Sequence, residues 1–193
     1  MSVGCDTIRV VCIGVFHFTT VHSLVLSLSV CLPLSLCLPL CFQCSELIYA
    51  DNNELEGTIP ASYGSLGDLH TFYAFNNRLR GGIPSELGKM EDLRDFQIYN
   101  NNIGGSIPSE MANCYKLRKF EVQDNKITGN VPSEFGTLEN LSMLKVYRNN
   151  LQGQIPQQVC DAKRDFSLGF VAADCNLDLG GKLECPCCNS CYP

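Results

Sequence analysis

Residue types that commonly mark catalysis or nucleic-acid binding are scarce in this chain. It has no tryptophan and only three histidines, and 14 lysines and arginines stand against 20 aspartates and glutamates. Nucleic-acid-binding proteins need a concentrated basic face, so we expect no nucleic-acid partner. Glycine-rich phosphate loops, serine-nucleophile motifs and kinase motifs are missing as well. We therefore predict that the protein is not an enzyme and that it uses no cofactor and no metal.

Charge is nearly missing from residues 1–45, which contain only Asp6 and Arg9. Residues 23–41 are apolar over a length that can cross a bilayer. Arg9 ahead of an apolar run also fits the start of a signal peptide. Three interpretations of this leader stay open, which are a signal peptide, a membrane anchor and a gene-model artefact. The last is suggested by the simple Ser-Leu-Cys-Pro composition of residues 27–41.

The leader is expected to pack little against the rest of the chain. Pro33 and Pro39 remove backbone donors that a regular helix or a central strand would need. Nothing upstream of Ile48 continues the leucine spacing found further along. Any contact of the protein with a membrane is therefore expected through this leader only.

One motif recurs every 24 residues and defines residues 46–156. Each copy has an asparagine, a leucine or isoleucine two positions later, a glycine four positions later, and an Ile-Pro or Val-Pro pair after that. The asparagines are Asn53, Asn77, Asn101, Asn125 and Asn149. About five copies in strict register predict a solenoid of stacked structural units.

Each unit divides into a predicted strand and a predicted short helix. Apolar residues lie five and three positions before each asparagine, and this alternation predicts a strand with one buried face. The asparagine amide both donates and accepts, so the five asparagines are predicted to form a structural ladder between turns. After each proline, apolar residues three apart predict a short helix, in which Cys114 is expected to be a small buried hydrophobe.

The motif Asn-x-Leu-x-Gly-x-Ile-Pro, followed by Ser-Glu-Leu-Gly, resembles the plant-specific class of leucine-rich repeats. That class occurs in receptor-like kinases, receptor-like proteins and polygalacturonase-inhibiting proteins. The resemblance implies an α/β fold, a right-handed solenoid with a parallel sheet on its concave face and short helices on its convex face. Members usually begin with a cap that contains paired cysteines and a tryptophan. Because tryptophan is missing, we expect either an unprotected edge at the first turn, near Glu46, or that the true start of the protein is missing.

Residues 157–193 are predicted to form a cysteine-rich C-terminal cap, with one last strand within residues 166–172. The tail resembles the cysteine cap of secreted leucine-rich-repeat proteins from microalgae. A cysteine-dense tail beside cysteine-poor repeats favours disulfides and an oxidising compartment, although a thiolate site for zinc or copper is the alternative. Fifteen pairings are open to the six cysteines, Cys160, Cys175, Cys185, Cys187, Cys188 and Cys191.

The strand positions that are not apolar are predicted to face the concave side and to bind a ligand. Exposed aromatics flanked by polar groups are typical of recognition surfaces, although aromatics also simply favour strands. The C-terminal half of this face is expected to be basic, because of Arg94, Arg118, Lys119, Lys145 and Arg148. The candidate ligand-binding residues are Tyr49, Asp51, Tyr73, Phe75, Gln97, Tyr99, Glu121, Gln123, Lys145, Tyr147 and Arg148.

These features predict an extracytoplasmic recognition module, secreted or at the cell surface, that binds a protein, peptide or glycan. The family resemblance adds a co-receptor as a further partner. The sequence Asn-Leu-Ser at Asn140 is a predicted glycosylation site. Two alternative functions are a secreted inhibitor of a cell-wall hydrolase and a metal or redox role for the cysteine tail.

Overall fold

The structure, a computed structural model, describes residues 9–11, 46–165, 167–175 and 183–192. Within these residues the strands are β1 (Arg9–Val11), β2 (Leu47–Tyr49), β3 (Glu56–Gly57), β4 (Thr71–Tyr73), β5 (Arg78–Gly81), β6 (Asp95–Gln97), β7 (Asn102–Ile103), β8 (Lys119–Glu121), β9 (Thr128–Gly129), β10 (Met143–Lys145), β11 (Asn150–Leu151), β12 (Gly153–Gln154), β13 (Phe170–Ala173), β14 (Leu183–Glu184) and β15 (Ser190–Cys191). Eight of them form one parallel sheet in the order β1-β2-β4-β6-β8-β10-β13-β15. One strand per turn, always in register with the next, gives the predicted solenoid sheet.

The apolar strand positions point into a continuous core, as the alternation predicted. Phe96 and Ile98, five and three positions before Asn101, are completely buried, and their counterparts in the other turns are buried too. The Phe96 ring stacks between Phe72 and Phe120 at centroid distances of 5.5 and 5.6 Å. The turns are therefore joined by a column of aromatic rings in addition to the backbone ladder.

The predicted helices of the repeats are 3-10 helices, Ala61–Ser65, Ser85–Lys89, Ser109–Asn113 and Ser133–Thr137. A 3-10 helix has three residues per turn, so the three-residue apolar spacing puts one side of it into the core. Each begins after a proline, whose missing N–H costs nothing there. The last turn instead carries an α-helix, α1 (Gln157–Asp165), which the sequence analysis did not anticipate.

The convex side carries short parallel pairings, β3-β5-β7, β11-β9 and β12-β14. The repeat glycine lies at their ends with a positive φ, from 68° at Gly105 to 97° at Gly57. A residue with a Cβ rarely adopts this conformation, which explains why glycine stands at this position in every turn. No helix of the described residues is long and apolar enough to cross a membrane.

Strand β1 contradicts two expectations, that the first edge of the sheet is unprotected and that the leader packs little against the repeats. Arg9–Val11 pairs in parallel with Leu47–Tyr49 and adds a strand to the sheet. The physical reason is that the edge of a parallel sheet presents unpaired backbone N–H and C=O groups, which an extended segment can satisfy. The remainder of residues 1–45 lies outside the described residues, so the leader's role stays a proposal.

The C-terminal cap adds two strands to the sheet. The last predicted strand is β13, displaced to Phe170–Ala173, and β15 (Ser190–Cys191) pairs beyond it without having been predicted. Three disulfides hold the cap, Cys160–Cys187, Cys175–Cys191 and Cys185–Cys188. The first ties α1 to the tail, and the second ties the end of β13 to β15.

The ladder asparagines bridge consecutive turns. Asn101 Oδ1 accepts the backbone N–H of Leu79 in the preceding turn at 2.9 Å. Its Nδ2 donates to the carbonyl of Ala74 in the preceding turn at 2.9 Å and to that of Ile98 in its own turn at 3.0 Å. Asn77, Asn125 and Asn149 repeat the pattern. Aspartate could not replace these residues, because it lacks the donor.

We expect Asn101→Ala to lower the free energy of unfolding by about 1–3 kcal/mol, since it strands partly buried backbone groups of two turns. Chemical denaturation measures the change. Asn102→Ala is the matched control, because Asn102 is the same residue type at the next position and its side chain is exposed. Equal midpoints for the Asn101 variant and the parent would contradict a structural role for the ladder.

Candidate functional site on the concave face

The sheet register brings the candidate ligand-binding residues into two columns on the concave face. In the first column Tyr49, Tyr73, Gln97, Glu121 and Lys145 are aligned as neighbours on successive strands. Two positions further along each strand, the second column consists of Asp51, Phe75, Tyr99, Gln123 and Tyr147. The sequence therefore predicted which residues share this face, because side chains of a strand alternate between faces.

Four half-buried aromatic side chains, Tyr49, Tyr73, Phe75 and Tyr99, form what we call the aromatic cluster. Tyr49 and Tyr73 meet edge to face at 5.3 Å, and Tyr73 and Phe75 are tilted at 5.9 Å. Phe75 and Tyr99 stack at 4.4 Å with an interplanar angle of 6°. The rings thus contact one another across three turns, which reduces their mobility and presents a pre-formed apolar surface.

The tyrosine hydroxyls of the aromatic cluster lie in a negative electrostatic field. Burial raises the pKa of Tyr73 to about 12, with smaller contributions from Asp95 and other nearby acidic groups. Burial also raises the pKa of Tyr99, assisted by the charges of Glu121 and Asp51. Both hydroxyls are therefore protonated near neutral pH and can donate hydrogen bonds to a ligand.

The cations of the concave face are matched by acids one turn earlier. Lys119 Nζ lies 3.9 Å from Asp95 Oδ1, and Lys145 Nζ lies 2.9 Å from Glu121 Oε2. Arg148 Nη1 lies 3.3 Å from Asp124 Oδ1. Glu121 is almost completely buried, which makes the middle pair the least screened of the three. Lys119, Lys145 and Arg148 are therefore each paired with an acid, so their charges are partly offset where the C-terminal half was expected to be basic.

A second asparagine column lies at the edge of the concave face. Asn52, Asn76 and Asn100 adopt the left-handed conformation with φ of 53–54°. Asn100 donates to Asn76 at 2.8 Å, Asn76 donates to Asn52 at 2.7 Å, and Asn52 donates to Asp51 at 2.7 Å. This conformation was not predicted from the sequence, although asparagine at each of the three positions was an available signal. The chain of amides ends on the Asp51 carboxylate.

The C-terminal end of the face is completed by two residues that the sequence analysis missed. Tyr192 stacks on Tyr147 at 3.9 Å, and the Arg148 guanidinium lies 5.8 Å from the Tyr147 ring. The Asp174 carboxylate accepts hydrogen bonds from the backbone N–H groups of Arg148 and Asn149. In the earlier turns, the N–H groups at the equivalent positions donate to carbonyls of the next turn. No spacing signal identified Tyr192. Asp174 directly follows β13, and its role in pairing these N–H groups is visible only in three dimensions.

Gln123 lies between the two aromatic ends of the second column and is 5% exposed. Its Oε1 is buried and has no hydrogen-bond partner among the described residues. Since a buried unsatisfied acceptor is costly, a donor from water or from a ligand would lower the energy of this position.

In the cysteine cap, the sulfur atoms of Cys175, Cys185 and Cys188 lie within 4.8 Å of one another. All three are in disulfide bonds. Thiolates, not disulfide sulfurs, are the usual metal ligands, so a metal site here would first require reduction.

Among the described residues, Cys114 is the one free cysteine, and burial raises its pKa to about 12. Its thiol is therefore an inert core group at neutral pH.

The predicted glycosylation site lies away from the concave face. The Asn140 side chain is exposed, and its Nδ2 donates to the Tyr115 carbonyl at 2.9 Å. Modification of Asn140 stays a prediction.

The Leucine Rich Repeat family model matches residues 92–114 and 116–138. No curated protein matches the chain. Among solved structures, the plant peptide hormone receptor RGFR1 in complex with RGF2 is 31% identical with a TM-score of 0.64, over 74% of this chain and 21% of that one. The Arabidopsis receptor kinase HAESA, in complex with the peptide hormone IDA and the co-receptor SERK1, is 26% identical with a TM-score of 0.61, over 68% and 22%.

A shorter relative is the BIR2 ectodomain from Arabidopsis thaliana, 29% identical with a TM-score of 0.56, over 70% of this chain and 68% of that one. The chain spans about a fifth of the length of the two peptide hormone receptors. The repeats, the parallel sheet and the short helices are thus shared with ectodomains of plant receptors.

Proposed function

We propose that this chain, which belongs to the plant-type leucine-rich-repeat proteins, is a recognition module that binds a peptide or protein ligand on its concave face. The aromatic cluster is the observation that carries the proposal. It places four half-buried rings in mutual contact on a face whose ionic groups are otherwise mostly paired with one another. Pre-formed aromatic surfaces bordered by polar groups are common anchors of protein interfaces.

The arrangement of the rings favours a peptide over a glycan. Phe75 and Tyr99 stack face to face, so each covers one face of the other. Ring edges and tyrosine hydroxyls carry positive charge density, which suits the carbonyl oxygens of a peptide backbone. The solved complexes of RGFR1 and HAESA with peptide hormones support the same ligand class by analogy.

An extracytoplasmic location is part of the proposal. Three disulfides within the cap fit an oxidising compartment, since cytosolic proteins keep their thiols reduced. The HAESA complex contains a co-receptor, and by analogy a second receptor chain is proposed as a partner here. Inhibition of a cell-wall hydrolase stays an alternative that would use the same face.

The test is to pan a phage-displayed random dodecapeptide library on the secreted full chain and to measure the affinity of enriched peptides. Serine at Tyr73, Phe75 and Tyr99 together should weaken binding by about 100-fold, because such anchors dominate interface energies. Far-ultraviolet circular dichroism should stay unchanged, since these side chains lie outside the core.

Tyr115→Ser is the control, because Tyr115 is 51% exposed and follows a 3-10 helix away from the concave face. That variant should bind the enriched peptides like the parent. Undiminished binding by the folded triple variant would place the site elsewhere, and failure to enrich any peptide would contradict the ligand class.

A further inference from the structure

We propose that the N-terminal end of the concave face is a subsite for a cationic side chain, specifically an arginine, of the peptide ligand. The subsite consists of Tyr49, Asp51, Tyr73 and Phe75. This inference rests on the proposed function and deepens it, because it assigns a chemistry to one end of the ligand. It rests on Asp51, a carboxylate that has no cation partner among the described residues and lies beside aromatic rings. Such a combination of a carboxylate and rings recognises organic cations.

Asp51 differs from the other acids of the concave face in having no counter-charge among the residues that the structure describes. Asp95, Glu121 and Asp124 each have a lysine or arginine partner one turn later. The position that would supply such a partner to Asp51 in the next turn is Phe75, which is uncharged. Among the described residues, Asp51 therefore makes no ion pair, and its charge is available to a ligand.

The Asp51 carboxylate is also held in place. Asn52 Nδ2 donates to Asp51 Oδ2 at 2.7 Å, and Asn52 in turn accepts a hydrogen bond from Asn76. This amide chain fixes one carboxylate oxygen and leaves Oδ1 without a donor among the described residues, so that Oδ1 can accept an N–H group of the ligand. A fixed acceptor loses little entropy when the ligand binds.

The field over the neighbouring rings has the sign that a cation needs. The charges of Asp51 and Glu121 both act to raise the pKa of Tyr99, and Asp51 contributes in the same direction at Tyr73. Lys119 and Lys145, the nearest lysines along the sheet, are each engaged with an acid. The aromatic cluster therefore lies in a negative potential that attracts and orients a positive group.

An arginine suits this subsite better than a lysine. Its planar guanidinium is weakly hydrated, can lie against the edge-to-face pair of Tyr49 and Tyr73, and can donate to Asp51 at the same time. An ammonium group offers a point charge that is more strongly hydrated, so it gains less from contact with rings.

The experiment titrates the full chain, labelled with carbon-13 in its tyrosine rings, with N-acetyl-arginine amide and follows the ring signals by NMR. The neutral isostere N-acetyl-citrulline amide is the matched ligand control, and N-acetyl-lysine amide is the second cation. We expect saturable shifts at Tyr49 and Tyr73 with the arginine amide, at least fivefold weaker binding of the citrulline amide, and weaker binding of the lysine amide. The arginine affinity should also fall as salt rises.

Asp51→Asn should weaken arginine amide binding by about tenfold, which is the range of a cation held by one carboxylate and aromatic rings. The variant keeps an acceptor for Asn52, so the amide chain is preserved. Asp124→Asn is the matched control, because it removes a carboxylate of the same face whose cation is already present, and it should bind the arginine amide like the parent.

Equal affinity for arginine and citrulline amides, or an Asp51→Asn variant that binds like the parent, would overturn the subsite. Tighter binding of the lysine amide would overturn the arginine assignment. Loss of peptide binding in the triple serine variant, with no arginine amide binding to the parent, would leave the proposed function standing and remove the subsite. Arginine amide binding to the parent, together with undiminished peptide binding by the triple variant, would show that the subsite binds a guanidinium but would contradict the proposed peptide site.

Discussion

Replacing Phe96 by alanine should lower the free energy of unfolding by about 3–5 kcal/mol. Phe96 is completely buried, and its ring stacks between Phe72 and Phe120 in the turns on either side. The change removes apolar burial and opens a cavity that neighbouring turns cannot close, because the backbone ladders on both sides fix their spacing. Denaturant unfolding, followed by circular dichroism, measures the loss.

Phe75→Ala is the matched control for this prediction. Phe75 is the same residue type one turn earlier, but it lies half-buried on the concave face and stacks mainly on Tyr99. Its loss should cost about 1.5 kcal/mol or less, which is the worth of one aromatic pair near solvent. Similar losses for the two variants would mean that the aromatic column contributes no more to the fold than the concave cluster does.

Removing the Cys160–Cys187 disulfide, by serine at both positions, should destabilise the protein by about 3–4 kcal/mol. The bond closes a separation of 27 residues, and the entropy that a cross-link removes from the unfolded chain grows with the length of the loop. It also attaches α1, which covers the last turn of the core through the buried residues Val159 and Ala162. We expect a lower denaturation midpoint and earlier proteolysis of the tail.

The Cys185–Cys188 bond provides the comparison within the same cap. It closes a separation of only 3 residues, so its removal by two serines should cost roughly 1–2 kcal/mol. The ranking of the two variants is the result to check, because the longer loop and the attachment of α1 both predict the larger loss for Cys160–Cys187. A larger loss for the short loop would show that the cap is stabilised by local packing around that bond instead.

The repeats could be predicted in detail because their information is local and redundant. The 24-residue period fixes which side chains alternate into the core, and the structure buries Phe96, Ile98 and their counterparts accordingly. The same alternation fixes which residues share the concave face. One error in a single turn would have been corrected by the other four, since identical units must stack in identical register.

The residues that share the concave face were predictable from the sequence, but the distribution of charge over that face was not. Lys145 and Arg148 looked like free basic groups in sequence, whereas the sheet register sets each one beside an acid of the preceding turn. Within the described part of the chain, the same register leaves Asp51 without a cation. An ion pair forms only if the two side chains reach each other across neighbouring turns, and the residue types alone do not show whether they do.

The sequence by itself determined the repeating solenoid, its buried face, its asparagine ladder and the residues of the concave face. The tertiary structure decided the ends of the stack, where β1, β15, Asp174 and the three disulfide pairings have no repeat to predict them. The physical reason is the same in each case. Inside the array every backbone group is satisfied by an identical neighbour, but at its ends those groups must be satisfied by segments brought from elsewhere in the chain, and only the folded chain shows which ones.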